Sequence, residues 1–75
     1  MRKRSVTLKG HRTSVSLEDE FWDELRRMAA QANVTMAALV EQIDAGREGD
    51  NLSSALRLAV VADLKARLSD YARRR

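Results

Sequence analysis

His11-Arg12-Thr13-Ser14-Val15-Ser16-Leu17 alternates in character and runs straight into an amphipathic helix. Successive side chains of a strand point to opposite faces. Thr13, Val15 and Leu17 therefore share one face, and Arg12, Ser14 and Ser16 share the other. The first face suits a core. The second carries only hydrogen-bonding groups, headed by an arginine. A lone strand leaves its backbone donors and acceptors unpaired, so the segment requires a partner. The expected partner is the same segment of a second chain, paired antiparallel.

Upstream, Ser5-Val6-Thr7-Leu8 is a second short alternation, followed by Lys9-Gly10. That pair could close a two-residue hairpin and bring Val6 and Leu8 onto the face of Thr13 and Val15, but Asn-Gly or Asp-Gly is the stronger signal. Residues 1–10 are read as a basic N-terminal arm or an extra strand, with the arm preferred.

Downstream, three helices are predicted. Phe21, Leu25, Met28, Ala29 and Ala32 trace one face of a helix from about Glu18 to Ala32, with Trp22 at its border. Acids crowd its start, which suits the helix dipole. Asn33 tolerates the left-handed conformation that ends many helices. Thr35 is a natural N-cap for a second helix, from about Met36 to Ala45, and Val34 and Leu39 have the spacing of a hydrophobic staple. Met36, Leu39, Val40 and Ile43 form its apolar stripe, and Gly46 ends it. After the polar turn Gly46–Asp50, a third helix runs from about Leu52 to Ala72, capped by Asn51 or Ser53. Leu56, Val60, Leu64, Leu68 and Tyr71 trace its stripe.

The chain has 75 residues, room for one domain of a size that is marginal alone. Disulfides, metals or association commonly supply the rest. There is no cysteine and one histidine, His11, which excludes disulfides and any His/Cys metal site. Association remains. No apolar run approaches the roughly 20 residues that span a bilayer, and no apolar stretch follows the basic Met1–Arg4, so no signal peptide is read and a cytosolic protein is expected. Fourteen Lys and Arg against 11 Asp and Glu give a net charge of +3, unevenly spread. Arg2, Lys3, Arg4, Lys9 and Arg12 stand at the start with no acid among them, and Arg73, Arg74 and Arg75 stand at the end. Basic ends around a near-neutral body point to a polyanion as partner. Catalysis finds no support. Glu18, Asp19, Glu20, Asp23 and Glu24 belong to a solvated helix start, the histidine has no nucleophile beside it, and the glycines form no phosphate-cradling loop. Neither an enzyme nor a cofactor is expected.

The order strand, helix, tight capped turn, helix over residues 11–45 resembles the ribbon-helix-helix (Arc/MetJ-like) family of DNA-binding proteins. The alternating Arg12–Leu17, the Phe21/Leu25/Met28 stripe and the turn Asn33-Val34-Thr35-Met36-Ala37-Ala38-Leu39-Val40 carry the resemblance. With Asn51-Leu52-Ser53-Ser54-Ala55-Leu56-Arg57-Leu58, the whole chain looks like a small bacterial branch of that family with an added C-terminal helix and basic tail over residues 46–75. The resemblance implies a mainly α fold with one short β-strand, in an intertwined homodimer or a tetramer. It implies that the paired strands enter the major groove of double-stranded DNA, with Arg12, Ser14 and Ser16 on base edges. It places phosphates on Thr35, Met36 and Ala37 at the start of the second helix. Lys3, Arg4 and Lys9 are added as further phosphate contacts. The dimer core would hold Val15, Leu17, Phe21, Trp22, Leu25, Met28, Leu39, Val40 and Ile43. The protein would be a nucleoid-associated transcriptional regulator or repressor. One departure is Asn33, where family members often place glycine.

The alternative function is a protein-interaction module, such as an antitoxin that holds a partner through the third helix, because Leu58, Val61 and Ala62 widen its apolar surface beyond one stripe. Coverage within its own dimer or a tetramer is the simpler account of that surface. A helix-turn-helix reading is disfavoured, because the outward residues of the second helix, read as Ala37, Ala38, Glu41 and Asp44, are small or acidic.

Overall fold

The computed structural model describes residues 1–49 and 51–74, so Asp50 of the polar turn and Arg75 of the basic tail lie outside the described residues. Two strands, β1 (Arg2–Leu8) and β2 (His11–Leu17), precede three helices, α1 (Asp19–Ala32), α2 (Met36–Ala45) and α3 (Leu52–Arg73).

The expected arm is a strand. β1 pairs antiparallel with β2 along its whole length, from Arg2 opposite Leu17 to Leu8 opposite His11. The partner assigned to a second chain is thus supplied, on one edge of β2, by the same chain. Lys9 and Gly10 make the two-residue turn, with φ of 52° and 78°. Both positive values match the turn whose twist fits a hairpin. Lysine is an unusual occupant of its first position, whereas glycine adopts the second without steric cost. No atom lies near a Cβ added at Gly10, so Gly10→Ala tests backbone strain alone. It is expected to cost about 1–2 kcal/mol, read as a lower urea midpoint with an unchanged slope.

The helix ends follow local chemistry. At the end of α1, Asn33 takes the left-handed conformation (φ 57°, ψ 44°). Its N–H donates to the Ala30 carbonyl at 3.2 Å, and the Val34 N–H donates to Ala29 at 3.0 Å. This paired closure satisfies carbonyls that the helix cannot satisfy itself. The Ala38 N–H donates to the Thr35 hydroxyl at 3.0 Å, and the Ser54 N–H donates to Asn51 Oδ1 at 2.8 Å. Each bond caps the next helix, and Asn51 rather than Ser53 caps α3. Gly46 follows α2 with an ordinary φ of −90°, so the helix stops there without glycine's special freedom.

One core joins all five elements. Val6, Val15, Leu17, Leu25, Ala29, Leu39, Val40, Leu56 and Val60 are buried in it, and Leu8, Phe21, Trp22, Met28, Val34, Met36, Ile43 and Leu52 pack against it. The residues expected in a dimer core therefore already pack within one chain. α3 departs from expectation in its second half. Leu56 and Val60 are fully buried, but Leu64, Leu68 and Tyr71, predicted on the same stripe, are 43%, 68% and 62% exposed. At 1.5 Å per residue, α3 runs to about 33 Å against about 21 Å for α1 and about 15 Å for α2. Its later turns pass beyond the helices that could cover them.

Polar groups fasten α3 at two places. Arg27 of α1 binds Asp63 at 2.6 Å, and Arg67 binds the same carboxylate at 3.0 Å. The Arg27 hydrogen bond is the main reason that the Asp63 carboxyl titrates below the usual carboxylate range. Nearer the sheet, Arg57 pairs with Glu18 at 2.9 Å and donates to the Ser16 carbonyl at 3.4 Å. Its hydrogen bond likewise lowers the Glu18 pKa. Asp44, read as an outward residue of α2, is buried instead. Its carboxylate lies 2.6 Å from Arg47 and 3.8 Å from the Lys9 amine at the hairpin tip. A buried carboxylate needs such cationic neighbours.

Candidate nucleic-acid interface

The hairpin has two unlike faces because its register locks the alternation of both strands together. Val6 and Val15 are buried on the inner face, with Leu17 at its end. On the other face the cross-strand pairs are Thr7 with Arg12, Ser5 with Ser14, and Lys3 with Ser16. Arg12, Ser14, Lys3, Ser5 and Thr7 are exposed, and Ser16 is half-buried. The face holds two cations, four hydroxyls and no acid. Arg12, Ser14 and Ser16 thus lie together on one surface. Ser5 and Thr7 share it and were not among the residues singled out from sequence, although the alternation of residues 5–8 already separated them from Val6 and Leu8.

The basic residues divide. Lys3 lies on the polar face. Lys9 sits at the turn with its side chain 75% exposed. Arg4, expected as a phosphate contact, does neither. It has the strand parity of Val6, so it points inward, pairs with Asp19 at 2.7 Å and lies 4.8 Å over the Trp22 ring. Ion pairing and stacking on an aromatic face hold the guanidinium to α1. Trp22 is accordingly a packing residue that carries Arg4 and is not an open platform for bases.

At the start of α2 the Thr35 hydroxyl accepts from the Ala38 N–H, which caps the helix and leaves its own O–H to donate. Met36 and Ala37 supply the first two amides of the helix, which no preceding turn can accept. Both side chains are half-buried. This end keeps the backbone N–H groups and positive dipole that favour an anion. Among the described residues there is no cluster of metal-ligating side chains and no helix long and apolar enough to cross a membrane.

A family model for ribbon-helix-helix domains matches residues 1–64. The chain belongs to the ribbon-helix-helix family. No curated protein and no solved structure matches it. The ribbon-helix-helix match takes in β1 as well as β2, and it runs into α3 as far as Leu64. That limit lies just beyond Val60, the last core residue of α3.

Proposed function

We propose that this ribbon-helix-helix protein binds double-stranded DNA in a sequence-specific manner, as a homodimer acting as a transcriptional regulator in the nucleoid. Arg12, Ser14 and Ser16 contact base edges in the major groove. Lys3, Lys9 and the first amides of α2, at Met36 and Ala37 beside Thr35, contact phosphates. The supporting observation is the acid-free outer face of the hairpin, whose inner face is consumed by the core. A two-stranded ribbon about 4.8 Å between strands fits a groove about 12 Å wide. Arginine supplies selectivity, because its two parallel donors match guanine O6 and N7. The serines are adaptable, since a hydroxyl both donates and accepts.

Selection of bound duplexes from a randomised pool, followed by titration of the selected sequence, tests the reading. Arg12→Ala is expected to weaken binding roughly five- to hundredfold, the range of one lost bidentate contact, and to relax the preference at a single base position. An equal loss on every sequence would remove Arg12 from base readout.

A second reading is a protein-interaction module of the antitoxin kind, and one observation favours it. Leu58, Leu64, Leu68 and Tyr71 leave an apolar surface on α3 exposed. The solution mass of the chain, alone and with DNA, separates a dimer that covers this surface from a monomer that keeps it open.

A further inference from the structure

The later turns of α3 present a surface that DNA binding does not use. Val61, Leu64, Leu68 and Tyr71 follow one another at steps of three, four and three residues and are 39%, 43%, 68% and 62% exposed. We infer that this seam docks one helix of a different protein, an amphipathic helix with acidic flanks. The docking is independent of DNA binding and rests on the interaction reading, to which it gives a partner of stated chemistry.

The spacing specifies a helix. Apolar residues at alternating steps of three and four keep one seam turned towards a neighbouring helix along its length. Such a seam is narrower than the face a helix lays on a globular core. Among the described residues, Val60 is the last buried position of α3, so the seam begins where the chain's own core ends. A run of about 12–15 helical residues is marginal in water without a neighbour. Contiguous exposed apolar surface of this kind marks an interaction site.

The positions beside the seam select the occupant. From Val61 onward they are Lys65, Arg67, Ala72 and Arg74, three cations and no acid. All four are exposed, and Lys65 forms no ion pair among the described residues. The acids of this stretch stand further back. Asp63 binds Arg27 and Arg67 at 2.6 and 3.0 Å, and Asp70 binds Arg74 at 3.2 Å. Charges at flanking positions set which helices pair and in which direction. A second α3 laid antiparallel about the middle of the seam would bring Lys65 beside its own counterpart and Arg67 beside its own. Laid parallel, Arg67 meets Ala72 and Lys65 meets Val60, and no ion pair forms. A helix with Glu or Asp at its flanks instead meets a cation at Lys65, Arg67 and Arg74. Lipid is the poorer occupant for another reason. α3 holds no Trp or Phe to anchor it, and Asp63 and Asp70 on its polar side oppose anionic headgroups.

Two synthetic helices of about three heptads test this. Both carry leucine at every seam position. One carries glutamate at every flanking position, and its twin carries lysine, so like charges keep each from pairing with itself. Each is labelled and titrated with the full chain in the absence of DNA. The glutamate helix is expected to bind about tenfold more tightly than its twin at low salt, with the gap closing near about 1 M. Leu68→Ser should weaken the glutamate helix about tenfold, and Lys65→Glu should narrow the gap between the twins. Both residues are exposed, so the fold is kept, and unfolding midpoints verify that. Equal affinity for the twins, lost with Leu68→Ser, overturns the acidic partner and leaves the interaction reading standing. Binding of neither helix overturns it as well, and Leu68→Ser then tells the other occupants apart. A halved solution mass assigns the seam to a second copy. Loss of sedimentation with phosphatidylglycerol vesicles assigns it to a lipid surface.

Discussion

Leu56→Ala is expected to remove a large share of the protein's folding stability. Leu56 is wholly buried where α3 meets the rest of the core. Truncating such a leucine costs about 2–5 kcal/mol, because a cavity remains in addition to the lost transfer energy. The total stability of a chain this size is only roughly 4–11 kcal/mol. The expected result is a steep fall in the urea midpoint, with the far-UV helix signal lost at temperatures the wild type survives. The companion variant ends the chain after Lys65. It removes Leu68 and Tyr71, which are exposed, and the Arg67 contact with Asp63, a surface ion pair of the kind that contributes about 1 kcal/mol or less. That variant should retain its fold and most of its midpoint. If the midpoint of the shortened chain falls as far as that of Leu56→Ala, the far half of α3 belongs to the core after all. If it folds but its solution mass drops from dimer to monomer, the exposed face of α3 is the assembly surface.

The contrast between the two halves of α3 shows what a sequence can reveal. The helices were legible because their signals are local. Caps at Thr35 and Asn51 bond to amides three residues away, and the left-handed Asn33 acts within its own turn. Burial along α3 was not legible, since one stripe continues from Leu56 to Tyr71 while its cover depends on the shorter lengths of α1 and α2. The sequence favours an arm over a strand for residues 1–10 for a related reason. Lys9-Gly10 is a weak turn signal, and the pairing energy that holds Lys9 at positive φ is spread along seven residue pairs. The charge of Arg4 says nothing of its placement, whereas its parity with Val6 turns it towards α1. Asp44 was read by polarity, although its cations come from Arg47 and from Lys9, 35 positions earlier in the chain. The polar face of β2 was read correctly as a face, but half of it lay on β1.

DNA affinity is expected to fall about a hundredfold between 50 and 200 mM salt. Each phosphate neutralised releases counterions, and log affinity falls with log salt by about 0.9 per contact. Lys3 and Lys9 are the hairpin cations assigned to phosphates, so two chains on one site give four contacts and a slope near −3.6. A single chain gives about half that slope, so the measurement also counts the copies bound. Arg12 on a guanine edge adds little to the slope, and the α2 amides add none, because neither replaces a condensed cation on a phosphate. Lys3→Ala combined with Lys9→Ala should therefore flatten the salt dependence and weaken binding alike on all sequences. Arg12→Ala should leave the slope and alter the sequence preference. Lys9 has one complication, its position 3.8 Å from the buried Asp44. Lys3→Ala alone avoids it and should lower the slope by about 1.8 for two copies. A slope that survives removal of both lysines would place the phosphate contacts elsewhere, and the basic end of α3 at Arg73 and Arg74 would be the region to test. A slope near zero in the wild type would mean that the acid-free face of the hairpin does not meet a polyanion at all.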